Sequence, residues 1–198
     1  MPMRDIETRV IEVSEIRIER RDDEPPKIFG YSALFDVESL NLGGFVETVA
    51  PGAFTKTIKE SDIRGLFNHD SNFVLGRNVA DTLSLKEDKK GLLMEAVPPD
   101  TQWARDLVVS IERGDITGQS FSFRTVSDQW TNVEEGPDER RLLEVELFDV
   151  GPVTFPAYVK TDVAVRSYQE WLAEQITCDT TPRLAIRRRR QELAEIKT

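Results

Sequence analysis

Two segments of this sequence carry residues that could work together as a nucleophile and its base. His69, the only histidine in the chain, ends the apolar run Leu66-Phe67-Asn68-His69, where a turn begins. Further along, Gly118-Gln119-Ser120-Phe121-Ser122-Phe123 alternates small and hydroxyl residues with aromatic ones. An imidazole has its ordinary pKa near neutrality, so it can take a proton from a serine hydroxyl and return it. If the two segments meet in space, the pattern predicts a serine activated by His69.

The serine segment must hold its hydroxyl groups on a rigid element for this chemistry. A strand over residues 116–126 would turn the two phenylalanines to one face and Ser120 and Ser122 to the other. A nucleophile on that second face would point away from the core. Pattern alone leaves a plainer interpretation open, in which the serines face solvent and His69 is a surface residue at the end of a strand.

A third group should orient the imidazole and stabilise it when it is charged. The predicted strand 142–148 offers Glu144 and Glu146 on one face. Asp70 directly follows His69, and adjacent residues of a strand point apart, so it is a weak choice. The two glutamates are also typical of the wet face of an edge strand, and the pattern does not choose between these roles.

Composition limits the class of protein. A chain of 198 residues, 39% hydrophobic and 31% charged, predicts one globular domain with charged loops or tails. No apolar stretch approaches the roughly twenty residues of a membrane span, and the N-terminus lacks the pattern of a secretion signal. The lone Cys178 fits a reducing cytoplasm, and one histidine with one cysteine argues against a zinc site. We expect no metal and no cofactor.

The charge is unevenly distributed along the chain. The net charge is −10, but residues 183–198 carry +4 and the remaining residues carry −14. An acidic body repels phosphates, so nucleic acid is a poor candidate for the main partner. The arginine-rich end is more typical of a solvated helix than of a nucleic-acid site.

Hydrophobic periodicity predicts many strands with a few helices between them. The predicted strands are 8–20, 27–35, 45–49, 63–68, 74–79, 83–86, 92–97, 116–126, 142–148 and 153–155. Helices are predicted at 51–60, from a cap at 100–101 to about 113, and at 166–176, and residues 132–140 are predicted to form an acidic, disorder-prone loop. The fold class is therefore α+β and mainly β, an antiparallel barrel or sandwich with helices outside. A domain over 1–176 is followed by a linker and basic helix over 177–198.

Several segments together resemble the HK97-type prohead (capsid maturation) serine proteases of tailed phages. They are 65–70 around His69, 118–123 around Ser120, 143–157, and Val49-Ala50-Pro51-Gly52-Ala53-Phe54 before a helix. The resemblance implies an antiparallel β-barrel surrounded by helices, similar to the herpesvirus assemblin proteases. It makes Ser120 the nucleophile and His69 the general base. The assemblin pattern His-Val-x-Leu aligns with Glu144-Val145-Glu146-Leu147, so the resemblance favours Glu144 as the third member.

The resemblance also implies a function and partners. The chain would be a serine endopeptidase that cleaves the scaffold or delta segment of the major capsid protein, and itself, inside the procapsid in the host cytoplasm. Related viral proteases dimerise, so a homodimer is expected, without a membrane or nucleic-acid partner. The alternative is a catalytically degenerate assembly component that binds capsid protein. An esterase ranks third, because Ser122 replaces the last glycine of the Gly-x-Ser-x-Gly elbow.

Two positions depart from the resembled pattern. Ser122 stands where the family usually has glycine, and its side chain would either crowd a substrate or offer a second hydroxyl. Pro152 follows Gly151 where the assemblins place arginines, and proline has no N–H to donate to an oxyanion. A backbone donor near Gly151 is the expected replacement.

Overall fold

The computed structural model describes residues 6–11, 15–22, 24–155 and 162–178. Its strands are, in chain order, β1 (Glu7–Ile11), β2 (Arg17–Glu19), β3 (Lys27–Leu34), β4 (Phe45–Val49), β5 (Arg64–Leu66), β6 (Val74–Arg77), β7 (Leu83–Glu87), β8 (Gly91–Ala96), β9 (Gly118–Thr131) and β10 (Asp138–Val153). The helices are α1 (Thr55–Glu60), α2 (Gln102–Glu112) and α3 (Asp162–Cys178). The predicted linker at 180–182 and the arginine-rich helix after it lie outside the described residues.

The strands form two sheets. The first has six strands in the order β1-β9-β10-β5-β6, with β4 also paired to β10. Strand β10 is long enough to hold two parallel partners in succession, β4 along Asp138–Leu142 and β5 at Asp149–Val150. The second sheet is antiparallel, in the order β2-β3-β8-β7. The prediction of a mainly β, α+β fold is confirmed, but the pairings of the described strands close no barrel, so the predicted barrel is not confirmed.

One hydrophobic core joins the two sheets. Alternate residues of β9 and β10 bury their side chains, as the period of two along a strand requires. They meet buried residues of β3 and β8 from the second sheet and of helix α2 (Phe121, Phe123, Val145, Leu147, Ile28, Met94, Leu107 and Ile111). Each such large side chain contributes about 1.5–3 kcal/mol when fully buried, so this core fixes the position of β9.

Helix α3 packs on the outer end of the first sheet through aromatic rings. Tyr168 lies against Phe45 and Trp130, and its hydroxyl donates a hydrogen bond to Asp138 Oδ2 at 2.7 Å. The helix continues to Cys178, past the domain boundary predicted at residue 176. None of the helices in the described ranges is sufficiently long and apolar to cross a bilayer.

Three predictions about the elements were wrong. Separate strands were predicted at 142–148 and 153–155, but β10 runs without a break from Asp138 to Val153. The segment 8–20 was predicted as one strand, but β1 and β2 belong to different sheets. Alternation is the same in both pieces, so it does not reveal a change of sheet. The predicted acidic loop 132–140 also extends too far, because β10 begins at Asp138 and the Arg140 residue is only 1% exposed. The Arg140 guanidinium pairs inward with Glu7 and Glu47, which are distant in sequence.

Candidate active site

Strand β9 and the turn after β5 bring Ser120 and His69 together. His69 Nε2 lies 2.6 Å from Ser120 Oγ, within hydrogen-bonding distance. Ser120 lies on the face of β9 opposite the core-facing Phe121 and Phe123. The two segments singled out in the sequence therefore meet, although 51 residues separate the histidine from the serine.

A tight turn delivers the imidazole to β9. Asn68 and His69 have φ values of 55° and 57°, in the left-handed region that few non-glycine residues occupy. Asn68 ties this turn to the end of β10. Its backbone N–H donates to the Pro152 carbonyl at 3.0 Å, its side-chain amide donates to Thr154 Oγ1 at 3.1 Å, and Thr154 N–H donates to Asn68 Oδ1 at 2.8 Å. Asparagine suits this position, since it tolerates the left-handed conformation and can bond to the neighbouring backbone.

The other imidazole nitrogen contacts a carboxylate that sequence reasoning missed. His69 Nδ1 is hydrogen-bonded to Asp149 Oδ1. A β-bulge places this carboxylate, because Leu147 pairs with Phe123 and Asp149 with the next residue, Ser122, which leaves Phe148 as an extra residue. Strict alternation after the buried Leu147 would turn Asp149 toward the core. The bulge turns it to the His69 side instead, as bulges beside active sites often do.

Glu144, the third residue predicted from the resemblance, is placed elsewhere. Its carboxylate is 37% exposed and lies 3.1 Å from Lys56 Nζ. Glu146, the alternative, lies 2.9 Å from Arg124 Nη1. Both glutamates precede the bulge, and no contact between either of them and His69 is found in the described part of the chain. The prediction of Glu144 as the orienting carboxylate therefore does not fit the geometry, in which Asp149 occupies that position.

Ser122 adds a second hydroxyl to the site. Its Oγ lies 3.0 Å from His69 Nδ1, on the side of the ring where Asp149 also binds. Ser122 is directly opposite Asp149 in the β9–β10 ladder and is 5% exposed. On its other side, Ser122 Oγ lies 3.4 Å from Thr8 Oγ1 of β1. Of the two roles predicted for this side chain, the geometry provides the added hydroxyl.

Strand β1 covers the nucleophile candidate. It pairs with β9 so that Val10 lies opposite Ser120, and Ser120 has no exposed surface. Ser120 Oγ donates a hydrogen bond to the Arg9 carbonyl oxygen at 2.8 Å. A hydroxyl has one proton, so the Arg9 carbonyl and His69 Nε2 compete for it.

A buried network of charges fastens β1 to the body of the protein. Arg140, whose side chain is fully buried, lies 2.8 Å from Glu7 and 2.9 Å from Glu47. Arg9 binds the same two carboxylates, each at 2.7 Å. Burial alone would raise the pKa of Glu7, but the attraction of Arg140 and then Arg9 outweighs it and lowers the pKa to about 2. Glu7 is therefore ionised at neutral pH, and the network is held together by opposite charges.

Gly151 of β10 lies opposite Ser120 of β9. Because it has no side chain, the end of strand β5 can approach β10 closely at this point. A Cβ added at Gly151 would lie 1.8 Å from the Leu66 carbonyl oxygen, at the end of β5. Only glycine fits so close an approach, which places the turn that contains His69 against β10.

Within the described ranges, no three His, Cys, Asp or Glu side chains are grouped so that they could hold a metal ion.

Three comparisons relate the chain to known proteins. The family model described as "Caudovirus prohead serine protease" matches residues 12–174. The prohead protease of Enterobacteria phage HK97 is 24% identical over 182 residues, which cover 85% of this chain and 77% of that protein. The solved structure of the bacteriophage T4 capsid assembly protease is similar in fold, with a TM-score of 0.50 and 13% identity. That likeness covers 75% of this chain and 96% of the T4 chain.

Proposed function

Because the chain belongs to the caudovirus prohead serine protease family, we propose that it cleaves peptide bonds during phage capsid maturation with Ser120 as nucleophile. The observation that carries the proposal is the contact of 2.6 Å between Ser120 Oγ and His69 Nε2. Asp149 on the opposite ring nitrogen completes the nucleophile, base and orienting group of a serine protease. This complete arrangement favours the enzyme over a degenerate binding module.

The first half of the reaction forms an acyl-enzyme. Asp149 accepts a hydrogen bond from Nδ1–H, which leaves the lone pair of Nε2 free to accept the Ser120 proton. Ser120 Oγ then bonds to the carbonyl carbon of the scissile peptide, and the carbonyl π electrons move to its oxygen. When the tetrahedral intermediate collapses, the C–N bond breaks and Nε2–H protonates the leaving amine.

The second half returns the enzyme to its starting state. A water molecule gives its proton to Nε2 while its oxygen bonds to the acyl carbon, and the Ser120 ester bond breaks as Oγ recovers the proton. Asp149 stabilises the imidazolium in both halves without taking its proton. A backbone N–H near Gly151 is proposed to bind the oxyanion.

Substrate reaches Ser120 only if the cover provided by β1 shifts. The Arg9 carbonyl holds the Ser120 hydroxyl, and the serine is wholly buried. We infer that assembly with capsid protein moves the Arg9 backbone away from Ser120. A fluorophosphonate probe should therefore label Ser120 at least about tenfold faster in assembled particles than in the isolated chain, and equal rates would contradict this step.

The proposed substrates are the major capsid protein with its scaffold or delta segment, and the protease itself. Cleavage would take place inside the procapsid in the host cytoplasm, with the chain acting as a homodimer. Residues 1–176 are proposed as the protease domain, and residues 177–198 as a linker and basic helix. The family membership and the 24% identity to the HK97 prohead protease support the capsid-protein substrate. The homodimer, the compartment and the domain bounds are proposed from the sequence and its resemblance alone.

Coexpression with the capsid protein of the same phage tests the proposed function. Intact mass spectrometry should show a shortened capsid protein with the wild-type chain and only the full-length form with Ser120→Ala or His69→Ala. Ser127→Ala, at an exposed position of the same strand, should cleave as the wild type does. Complete cleavage by the Ser120→Ala variant would refute the assignment.

A further inference from the structure

The imidazole Nδ1 has two partners, although an orienting role needs only one. Asp149 Oδ1 reaches it from β10, and Ser122 Oγ reaches it from β9 at 3.0 Å. Asp149 and Ser122 are paired across the ladder, so the bulge that aims the carboxylate also sets it beside the hydroxyl. Ser122 stands where the resembled pattern has glycine, so this hydroxyl belongs to this chain rather than to the pattern.

Proton counting decides the direction of the Ser122 contact. If Ser122 donated its proton to Nδ1, that nitrogen would be an acceptor facing the acceptor oxygen of Asp149, and the two would repel. If Nδ1 carries the proton, Asp149 and Ser122 both accept it, and no conflict arises. Ser122 can then direct its own proton toward Thr8 Oγ1, which lies 3.4 Å away. This arrangement also leaves Nε2 free to accept the Ser120 proton.

Within the described ranges, one carboxylate contacts this ring, and the other charged side chains on the neighbouring elements are bound elsewhere. Asp149 is the carboxylate in contact with the ring. Further along the same face of β9, Arg124 is paired with Glu146. Asp70, beside His69 in the turn, accepts hydrogen bonds from the backbone and side chain of Asn72. From β1, the residues beside the serines are the uncharged Thr8 and Val10.

We propose that Ser122 is a second positioning residue for His69, which accepts a shared Nδ1–H bond together with Asp149 and so favours the catalytically useful tautomer. This inference rests on the proposed function for its catalytic meaning, but the contact itself is testable without catalysis. A neutral hydrogen bond of this kind changes a rate by about three- to tenfold. We therefore expect the Ser122 hydroxyl to add to the orienting effect of Asp149 on His69, but not to replace it.

The single histidine allows a direct spectroscopic test. With ¹⁵N-histidine labelling, correlations from the carbon-bound ring protons report both nitrogens of His69 and hence its tautomer. A Ser120→Ala background prevents self-cleavage during the measurement. In this background Asp149→Ala should keep the Nδ1–H tautomer, whereas adding Ser122→Ala should return the ring to the Nε2–H form that free imidazole side chains prefer. Ser122→Thr, which keeps a hydroxyl, should retain the Nδ1–H form.

Two outcomes overturn the inference. One is an Asp149→Ala spectrum that already matches that of the double variant, since Ser122 would then hold no proton on Nδ1. The other is a ring whose Nδ1 is unprotonated before Asp149 is changed. If Asp149→Ala does not fold, the same signals are compared in Ser122→Ala and the parent. A weaker Nδ1–H bond, seen as faster exchange of its proton, supports the inference, and an unchanged exchange rate refutes it.

Cleavage kinetics provide the independent second measurement. Ser122→Ala should lower kcat by about three- to tenfold with KM unchanged, and Ser122→Thr should restore it to within about twofold. Ser127→Ala is the matched control on the same strand. A Ser122→Ala variant as fast as the wild type refutes the positioning role. If the wild type itself cleaves no capsid protein, the proposed function fails, while the spectra still decide the Ser122 contact.

Discussion

Replacing Asp149 with asparagine changes the partner of the imidazole while keeping its shape. In the structure Asp149 Oδ1 is hydrogen-bonded to His69 Nδ1, and Ser120 Oγ lies 2.6 Å from Nε2. A carboxylate can only accept, so its contact favours the tautomer with the proton on Nδ1, and Nε2 is then the acceptor for the Ser120 hydroxyl. An asparagine can present its N–H₂ group to Nδ1 and so favour the opposite tautomer, in which Nε2 carries the proton. Such a ring cannot take the proton from Ser120, and it also loses the carboxylate that stabilises its charged form.

The expected loss is large because the base itself is disabled. A serine protease whose orienting aspartate becomes asparagine loses about 10³- to 10⁴-fold in kcat, which corresponds to about 4–5.5 kcal/mol of transition-state stabilisation. Ser122, as a remaining neutral acceptor, should keep the loss within this range. Glu144→Gln is the matched control, since Glu144 lies on the same strand as Asp149, before the bulge, and its exposed carboxylate binds Lys56 of helix α1. It should cleave within about twofold of the wild type.

A time course of capsid-protein cleavage separates the two carboxylates. Each variant is coexpressed with the capsid protein, and the shortened product is quantified by intact mass spectrometry, with circular dichroism to confirm folding. We expect no product from Asp149→Asn at times when cleavage by Glu144→Gln is complete. Loss of cleavage in Glu144→Gln with normal cleavage in Asp149→Asn would refute the role of the bulge and restore the carboxylate predicted from sequence.

Three further predictions concern the frame that holds the site. Glu7 has its pKa lowered from an ordinary 4.5 to about 2, so its ionised form stabilises the fold by about 3 kcal/mol above pH 4.5, and this stabilisation is lost as the pH falls toward 2. In urea unfolding, the free energy of unfolding should therefore fall less between pH 7 and pH 3 in Glu7→Gln than in the wild type. An equal fall in the two proteins would contradict this. Arg140→Ala leaves buried carboxylates without this partner and should lower the free energy of unfolding by about 3–5 kcal/mol. The neighbouring Arg141→Ala, which breaks a half-exposed pair with Asp36, should change that free energy little. Similar effects of the two substitutions would argue against the buried network. Gly151→Ala forces a Cβ against the Leu66 carbonyl, so it should lower the free energy of unfolding by about 3 kcal/mol or more and abolish cleavage. Gly65→Ala is the control and should cost about 1 kcal/mol or less, because its Cβ would stay at van der Waals distance from the Leu83 side chain (3.4 Å) and the Gly76 backbone (3.5 Å). A stable, active Gly151→Ala protein would show that β5 and β10 are not in close contact.

The parts of the fold that local patterns determine were predictable from sequence. Strand β4 was predicted at residues 45–49 and is found there, and helix α2 was predicted within two residues of its observed ends. The apolar run that ends at His69 and the alternation around Ser120 also indicated which elements bear the two residues that meet. Each of these signals lies within one element, where the periods of strands and helices act directly.

The orienting carboxylate was not predictable in this way, because a bulge is decided by pairing between strands. In the sequence of β10, Asp149 is two residues after Leu147 and four after Val145, which are both buried. Strict alternation would therefore place the Asp149 side chain in the core. Only the register with β9 reveals the extra residue at Phe148. The buried network was missed for a similar reason, since Arg140 in a charged segment is typical of a solvated loop, and its partner Glu7 lies 133 residues away.

The central claim is that the hydroxyl of Ser120, activated by His69 and Asp149, forms the covalent bond with the substrate carbonyl. Its most direct test is to treat assembled particles with a fluorophosphonate probe and to locate the labelled residue by tandem mass spectrometry. The account predicts a label on Ser120 in the wild type and no label in His69→Ala. A label on Ser122 or elsewhere, or undiminished labelling of His69→Ala, would contradict it.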